Sequence, residues 1–184
     1  MLDSKRKIPY NYTSASDNQI INHLFGSDLL KVIQELEQKV DTGRSSRLLH
    51  RFMGDLFIIR RNPFLFQELV GHPRLREKLF SEFSSDLDYI EQNASDPEVR
   101  QVFDACREQL SDLSSRIQKI RKEQSRLKKA LAPVVGKDNL YFDPFNITAH
   151  ATDATDWRMC LPVAVLRPDS EAQVPELISK IEDL

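Results

Sequence analysis

One periodic apolar pattern, in residues 96–132, constrains the fold of this chain more than any other feature. Ser95 and Glu98 fit a capping box, in which the serine oxygen accepts from the Glu98 amide and the glutamate reaches back to the cap. The residues that follow alternate at spacings of three and four, interrupted only by Gln124, and predict one long helix with a coiled-coil-like seam. The seam consists of Val99, Phe103, Cys106, Leu110, Leu113, Ile117, Ile120, Leu127 and Leu131.

The helix predicted just before this one, over residues 74–92, is much shorter. The brief connection at Asn93 and Ala94 favours an antiparallel helical hairpin. At 1.5 Å per residue the two helices span about 30 Å and about 55 Å, so the longer one overhangs. Because the apolar seam continues through Leu127 and Leu131, we expect an upstream helix or a second copy of the chain to cover it.

Helical signals also fill the sequence upstream of the hairpin. Ser16 can cap a short helix that ends before Gly26, and an apolar stripe after Ser27 predicts a second helix that ends at Gly43. A dense apolar run from Ser45 predicts a third helix, and Pro63 opens a fourth. The predicted fold is therefore mainly α, with a basic N-terminal tail at residues 1–9 and a helical domain at residues 10–135.

The pattern changes after Pro133. Residues 134–146 look like a loop, residues 161–166 like a short strand, and residues 171–184 like an amphipathic helix after a turn. We therefore predict a linker at residues 136–160 and the start of an α/β domain at residues 161–184. Since one strand cannot form a sheet alone, we expect the sheet to be completed by residues that this chain lacks.

Composition narrows the classes of function. The net charge of −2 gives no overall field that would favour nucleic acid. The two cysteines form no disulfide framework and no metal or redox motif, which favours a reducing, cytoplasmic setting. The sequence has neither a secretory signal nor an apolar run long enough for a transmembrane segment.

Few residues of the sequence match a catalytic, cofactor-binding or metal-binding pattern. The five glycines are isolated, so no loop resembles a phosphate or flavin cradle. Cys106 falls on the seam and is interpreted as a core residue. His150 with Asp153 and Asp156 could form an acidic histidine cluster, but a capped loop is the favoured interpretation. We therefore predict no catalytic residue, no metal and no cofactor bound by this chain alone.

Positive charge is concentrated on the second half of the long helix. A basic face there could contact a phosphate backbone, although no aromatic residues are interleaved with it. The favoured interpretation is a solvated helix face, or ion pairs with acidic residues such as Glu35, Glu37 and Asp41. The face consists of Arg116, Lys119, Arg121, Lys122, Arg126, Lys128 and Lys129.

The segment before the predicted strand holds the only tryptophan of the chain. Asp153, Asp156, Trp157 and Arg158 lie within seven residues, TDATDWR. They could form a turn in which the aspartates accept from local amides and the indole anchors the loop. They could equally line a domain junction, and spacing alone does not separate the two.

Five stretches of the sequence resemble parts of one family: residues 8–14 (IPYNYTS), 42–47 (TGRSSR), 54–63 (GDLFIIRRNP), 152–158 and 162–170 (PVAVLRPDS). The first three resemble the N-terminal region, a domain of unknown function, of very large bacterial FAD/FMN-binding oxidoreductases related to glycolate oxidase and D-lactate dehydrogenase. The last two resemble the junction where the flavin domain of that family begins. Residues 159–161 depart from the resemblance, because a more polar sequence is expected there.

The resemblance implies FAD-dependent oxidation of a 2-hydroxy acid, with electrons passed to iron–sulfur centres further along the polypeptide. It implies that the remainder of the same polypeptide is the partner of this chain. No catalytic residue matches, so the expected role is structural and docking. The alternative is a stand-alone helical module that binds protein or nucleic acid through its basic face, and self-association through the seam is a third possibility.

Overall fold

The computed structural model describes residues 11–38, 43–151 and 160–184, and within them the chain is mainly α-helical, as predicted. Two short strands pair in a small sheet, and single 3-10 turns precede α1, β1 and α7. The elements are α1 (Asp17–Gln38), α2 (Gly43–Arg61), α3 (Pro63–Gly71), α4 (Pro73–Asn93), α5 (Pro97–Val135), β1 (Leu140–Tyr141), α6 (Pro144–Ala149), β2 (Val165–Leu166) and α7 (Val174–Glu182).

The chain divides into two compact units. The helical unit comprises Tyr12–Asn62 and His72–Gln118, which include α1, α2, α4 and the first part of α5. The mixed unit comprises Pro63–Gly71 and Lys119–Leu184, which include α3, the second part of α5, the two strands, α6 and α7. The long helix α5 therefore contributes residues to both units, while the predicted domain boundaries stay a prediction.

In the helical unit, α2 and α4 form the closest pair of helices. The rings of Phe52 and Phe83 lie 4.7 Å apart between ring centres, and Arg51 donates to the carboxylate of Asp86. That bond is the first cause of the raised pKa of Arg51. The wide apolar face predicted for α2 is confirmed, because its side chains are buried on more than one side: Leu49, Phe52, Met53, Leu56, Phe57 and Ile59.

Two helix starts in this unit differ from the prediction. Asp96 rather than Ser95 caps α5, since its Oδ1 accepts from the Glu98 amide at 2.9 Å. Gly43, predicted to end a helix, is the first residue of α2, where its positive φ of 67° suits glycine. Ser16 caps α1 as predicted, and Gln19 bonds back to it, with backbone-to-side-chain distances of 2.8 and 3.4 Å. The backbone of Gly26 is non-helical and kinks α1 where one helix was predicted to end and a second to begin.

The mixed unit covers the overhanging seam of α5 with residues that follow α5 in the chain. The prediction of an upstream helix is wrong here, while self-association stays a prediction. Leu131 and Val135 are buried in one cluster with Leu140 and Leu177, which come later in the same chain. Gln173 Nε2 donates to the Val134 carbonyl at 2.9 Å. The seam therefore closes on the C-terminal segment.

The prediction of a loop over residues 134–146 and of a lone strand after it is also wrong. β1 pairs with β2 in antiparallel register, with Leu140 opposite Leu166 and Tyr141 opposite Val165. Within the same stretch, α6 begins at Pro144 and packs against α3. The sheet has two strands, so the incompleteness expected from an unpaired strand does not follow.

The C-terminal helix is shorter and more exposed than predicted. α7 begins at Val174, and among its apolar residues only Leu177 is buried. It lies antiparallel to α5, because Gln173 contacts Val134 at one end and Arg126 donates to the Leu184 carbonyl at the other. Val174, Ile178 and Ile181, predicted as part of the apolar face of this amphipathic helix, are exposed.

Candidate docking surfaces

A buried arginine anchors the N-terminal residues of the helical unit. The side chain of Arg60 is only 5% exposed, and its Nη2 lies 2.9 Å from Asp112 and 3.3 Å from Gln109. Its guanidinium also lies 5.7 Å from the centre of the Tyr12 ring, within range of a cation–π contact. We call Tyr12, Arg60, Gln109 and Asp112 the arginine clasp.

Two neighbouring contacts extend the clasp. Gln109 donates to the Leu24 carbonyl at 3.2 Å, and the next arginine, Arg61, bonds both the Ala15 carbonyl at 2.9 Å and Asp17 at 2.5 Å. Consecutive arginines of α2 thus hold the 3-10 turn and the start of α1. Tyr12, Arg60 and Arg61 belong to the stretches that carry the sequence resemblance, and all three contact other parts of the helical unit.

The arginine clasp was not predicted from the sequence, although the position of Arg60 on an apolar stripe indicates it. Arg60 follows Leu49, Met53 and Leu56 at helical offsets of eleven, seven and four residues, which places it on the buried stripe. An arginine on such a stripe needs a buried partner. Its Nε has no hydrogen-bond partner among the described residues, so the site is only partly satisfied.

A cleft of about 320 Å³ lies in the helical unit between the start of α2 and the connection from α4 to α5. The guanidinium of Arg44 stacks 4.2 Å above the centre of the Tyr89 ring, and Asp96 caps α5. Both charged groups that line the cleft are therefore engaged by the protein itself.

Side chains able to do chemistry are engaged in local structure. Ser46 and His50 touch, but Nδ1 of His50 lies 2.8 Å from the Ser46 carbonyl, to which it can only donate. His50 therefore does not accept the serine proton through that nitrogen. His150 similarly bonds the Asn146 carbonyl at 2.8 Å, and no group of metal-ligating side chains forms within residues 11–38, 43–151 and 160–184.

The two cysteines differ in environment. Cys106 is fully buried on α5, as predicted for a core residue, and desolvation raises the pKa of its thiol to about 12. Cys160 is exposed, and its amide donates to the Ala151 carbonyl at 2.8 Å. The predicted junction residues Asp153, Asp156, Trp157 and Arg158 lie between those two residues, outside the described part of the chain, as does the basic tail at residues 1–9.

The basic face is present and fully exposed. Arg116 lies 4.0 Å from Asp112, and Arg126 donates to the Leu184 carbonyl. The remaining five cations form no ion pair with any residue that the structure describes: Lys119, Arg121, Lys122, Lys128 and Lys129. These five side chains are exposed, and Glu35 forms no ion pair with them among the described residues. The interpretation of the face stays a prediction.

Six of the seven cations of the basic face, all except Arg116, fall into two groups around the helix. Lys119, Lys122, Arg126 and Lys129 fall within an arc of about 80°, opposite the buried seam, and we call them the cationic stripe. Arg121 and Lys128 lie roughly 120–140° away around the helix. The stripe runs for about 15 Å along α5.

A second exposed surface of the mixed unit is apolar. Val174, Ile178 and Ile181 recur at offsets of four and three on α7, and Ile178 is 52% exposed. They lie beside Leu177, which faces the cluster under α5. We call these three residues the α7 row. Within the described residues, no helix has both the length and the apolar character needed to cross a membrane.

Residues 3–115 match the family described as "Protein of unknown function (DUF3683)". The chain belongs to this family. The matched residues contain the arginine clasp and the cleft, and they end just before the cationic stripe begins. The α7 row also lies outside the match. Comparisons with curated proteins and with solved structures give no match.

Proposed function

We propose that this chain is the structural and docking N-terminal region of an FAD-linked oxidoreductase that acts on a 2-hydroxy acid. The sequence resemblance described above motivates the proposal, because it runs through residues 8–14, 54–63 and 162–170. The arginine clasp supports the structural part, since the shared residues hold helices together.

The observation that carries the docking part is the exposed α7 row. β2, the turn after it and α7 follow the order of a strand, a turn and a helix at the start of an α/β domain. In such a domain the helix packs its apolar row on the sheet. A flavin domain continuing from α7 would therefore bury Val174, Ile178 and Ile181, which are exposed in this chain.

The residues of this chain do not themselves fit a flavin. A flavin pyrophosphate needs a close backbone approach, usually at glycines where a side chain would collide. The five glycines lie far apart in the sequence and form no glycine-rich loop: Gly26, Gly43, Gly54, Gly71 and Gly136. FAD, and any iron–sulfur centres, would be held by other parts of the polypeptide.

Two measurements test this assignment. Purified residues 1–184 should be colourless and should not bind FAD in a fluorescence titration, and tight binding would overturn the glycine argument. The coding frame should continue beyond the Leu184 codon into a glycine-rich flavin domain, and the complete product should show flavin absorption. A stop codon at that point would overturn the assignment to an oxidoreductase.

A matched pair of variants tests the α7 row itself. Ile178→Glu should leave the stability of residues 1–184 nearly unchanged, because that side chain is half-exposed there. In the complete product it should reduce flavin content, since a carboxylate would be buried against the flavin domain. Ser179→Glu, on the polar side of α7, should be harmless in both. Equal effects of the two variants in the complete product would contradict the docking role.

A further inference from the structure

We propose that the cationic stripe of α5 is a docking surface for an acidic helix of a partner protein. This inference goes beyond the proposed function and does not depend on it, because it concerns a different surface. Nothing in the flavin assignment requires these four cations.

The cationic stripe consists of four positively charged side chains and contains no carboxylate. Lys119, Lys122 and Lys129 make no ion pair with any described residue, and Arg126 contacts only a backbone carbonyl. Neighbours three and four residues apart on a helix repel when they carry like charge. Glu123 is the one carboxylate within residues 119–129. The helix therefore carries a repulsion that an anionic partner would relieve.

The spacing of the stripe suits carboxylates on a second helix. Its members rise by about 4.5, 6 and 4.5 Å along α5, which is the rise of residues three or four apart on any helix. A partner with glutamates at offsets of three, seven and ten can therefore face all four cations at once. The stripe is straight and convex, as expected for one helix lying along another.

Nucleic acid is a poorer match to the same surface. No aromatic residue is interleaved with the stripe, so bases would have nothing on which to stack. The stripe ends after about 15 Å, whereas a phosphate backbone continues. A short acidic helix has no such extension.

The test uses a synthetic alanine-based helical peptide with glutamates at offsets of three, seven and ten. Residues 1–184 should bind it at low ionic strength, with an affinity that falls as salt is added. A control peptide of the same composition, with its glutamates spread around the helix, should bind about tenfold more weakly. Equal binding of the two peptides, or no binding of either at low salt, would overturn the proposal.

Two double variants with the same change in charge separate the stripe from bulk charge. Lys122→Glu/Lys129→Glu should weaken peptide binding by at least about tenfold. Arg121→Glu/Lys128→Glu, on the same helix but off the stripe, should have a much smaller effect. Lys122→Gln/Lys129→Gln, which adds no negative charge, guards against misfolding, and circular dichroism checks all three. Equal losses from the two reversals would overturn the proposal.

A short DNA duplex and a single-stranded RNA of similar charge complete the experiment. The proposal expects both to bind more weakly than the acidic peptide at every salt concentration. If either binds more tightly, with a steep salt dependence that the stripe reversal abolishes, the surface is a nucleic-acid site and the acidic-helix proposal is wrong.

Discussion

At the scale of single residues, burial decides which polar groups are available for chemistry. The side chains of Arg60 and Cys106 are both buried. Arg60 contacts Asp112, Gln109 and Tyr12. Burial raises the pKa of the Cys106 thiol, so it stays protonated near neutral pH.

The difference between the two thiols can be measured directly. Because burial raises the pKa of Cys106 to about 12, its thiolate is nearly absent at pH 8, whereas Cys160 is exposed. We expect a thiol reagent to modify one cysteine rapidly in the native protein and two after denaturation. Cys160→Ser should remove the fast phase. Rapid modification of Cys106 in the folded protein would contradict the buried packing of α5.

The contribution of the arginine clasp to stability can be tested at Asp112, whose side chain is half-exposed. Asp112→Asn should lower the free energy of unfolding by about 1–2 kcal/mol, because it leaves the buried guanidinium of Arg60 without its carboxylate. Asp104→Asn, an exposed change on the same helix, should stay within about 0.5 kcal/mol. Urea unfolding measures both, and equal effects would show that the clasp adds no stability.

Asp143 gives a dependence on pH. Its carboxylate caps α6, and the hydrogen bond from the Asn146 amide is the first cause that lowers its pKa. A carboxyl whose pKa is depressed by folding contributes stability above its unfolded pKa of about 3.9 and loses it as the pH falls through the folded value. The stability difference between wild type and Asp143→Asn should therefore shrink as the solution is acidified below about pH 4. A difference that does not change with pH would contradict the capping role of the charge.

At the scale of elements, helical periodicity predicted most of the structure. The long helix α5, the apolar face of α2 and the kink at Gly26 all follow from local patterns. β1 was missed because Leu140 and Tyr141 form too short a run to show alternation. The cap at Asp96 was misplaced because serine and aspartate are both good caps. The position of a two-residue strand and the choice between neighbouring cap residues depend on tertiary contacts rather than on the spacing of residues in the sequence.

The candidate surfaces also divide into those that local sequence patterns predict and those that depend on tertiary contacts. All members of the cationic stripe were predicted as an exposed face, since charge and spacing are local properties. The arginine clasp was missed because its members lie up to 100 residues apart in sequence, between Tyr12 and Asp112. The α7 row was predicted only as the apolar face of an amphipathic helix, because periodicity shows which residues share a face, but not whether that face is covered.

Substitutions at two glycines test the assigned end of α5. Gly136 ends α5 with a positive φ of 83°, whereas Gly54 lies inside α2 with helical geometry, and a Cβ meets nothing at either position. Gly136→Ala should lower the free energy of unfolding by about 1 kcal/mol, because alanine disfavours that backbone conformation. Gly54→Ala should raise it by about 0.5–1 kcal/mol through helix propensity. Thermal unfolding that shows the same sign for both would contradict the assigned end of α5.

At the scale of the whole molecule, the family match ends close to one boundary between the two units. The match ends at residue 115 and the helical unit ends at Gln118, both within α5. The match also includes α3, which belongs to the mixed unit. The arginine clasp lies in the helical unit, and the cationic stripe and the α7 row lie in the mixed unit.

The most direct test of the docking role is hydrogen–deuterium exchange of residues 174–184, measured in this chain and in the complete product of its gene. In this chain the amides of α7 should exchange quickly, because Leu177 is the one buried side chain of the helix. In the complete product they should exchange much more slowly, together with the appearance of flavin absorption. Equal exchange in the two proteins, or a gene product that ends at Leu184, would contradict the account.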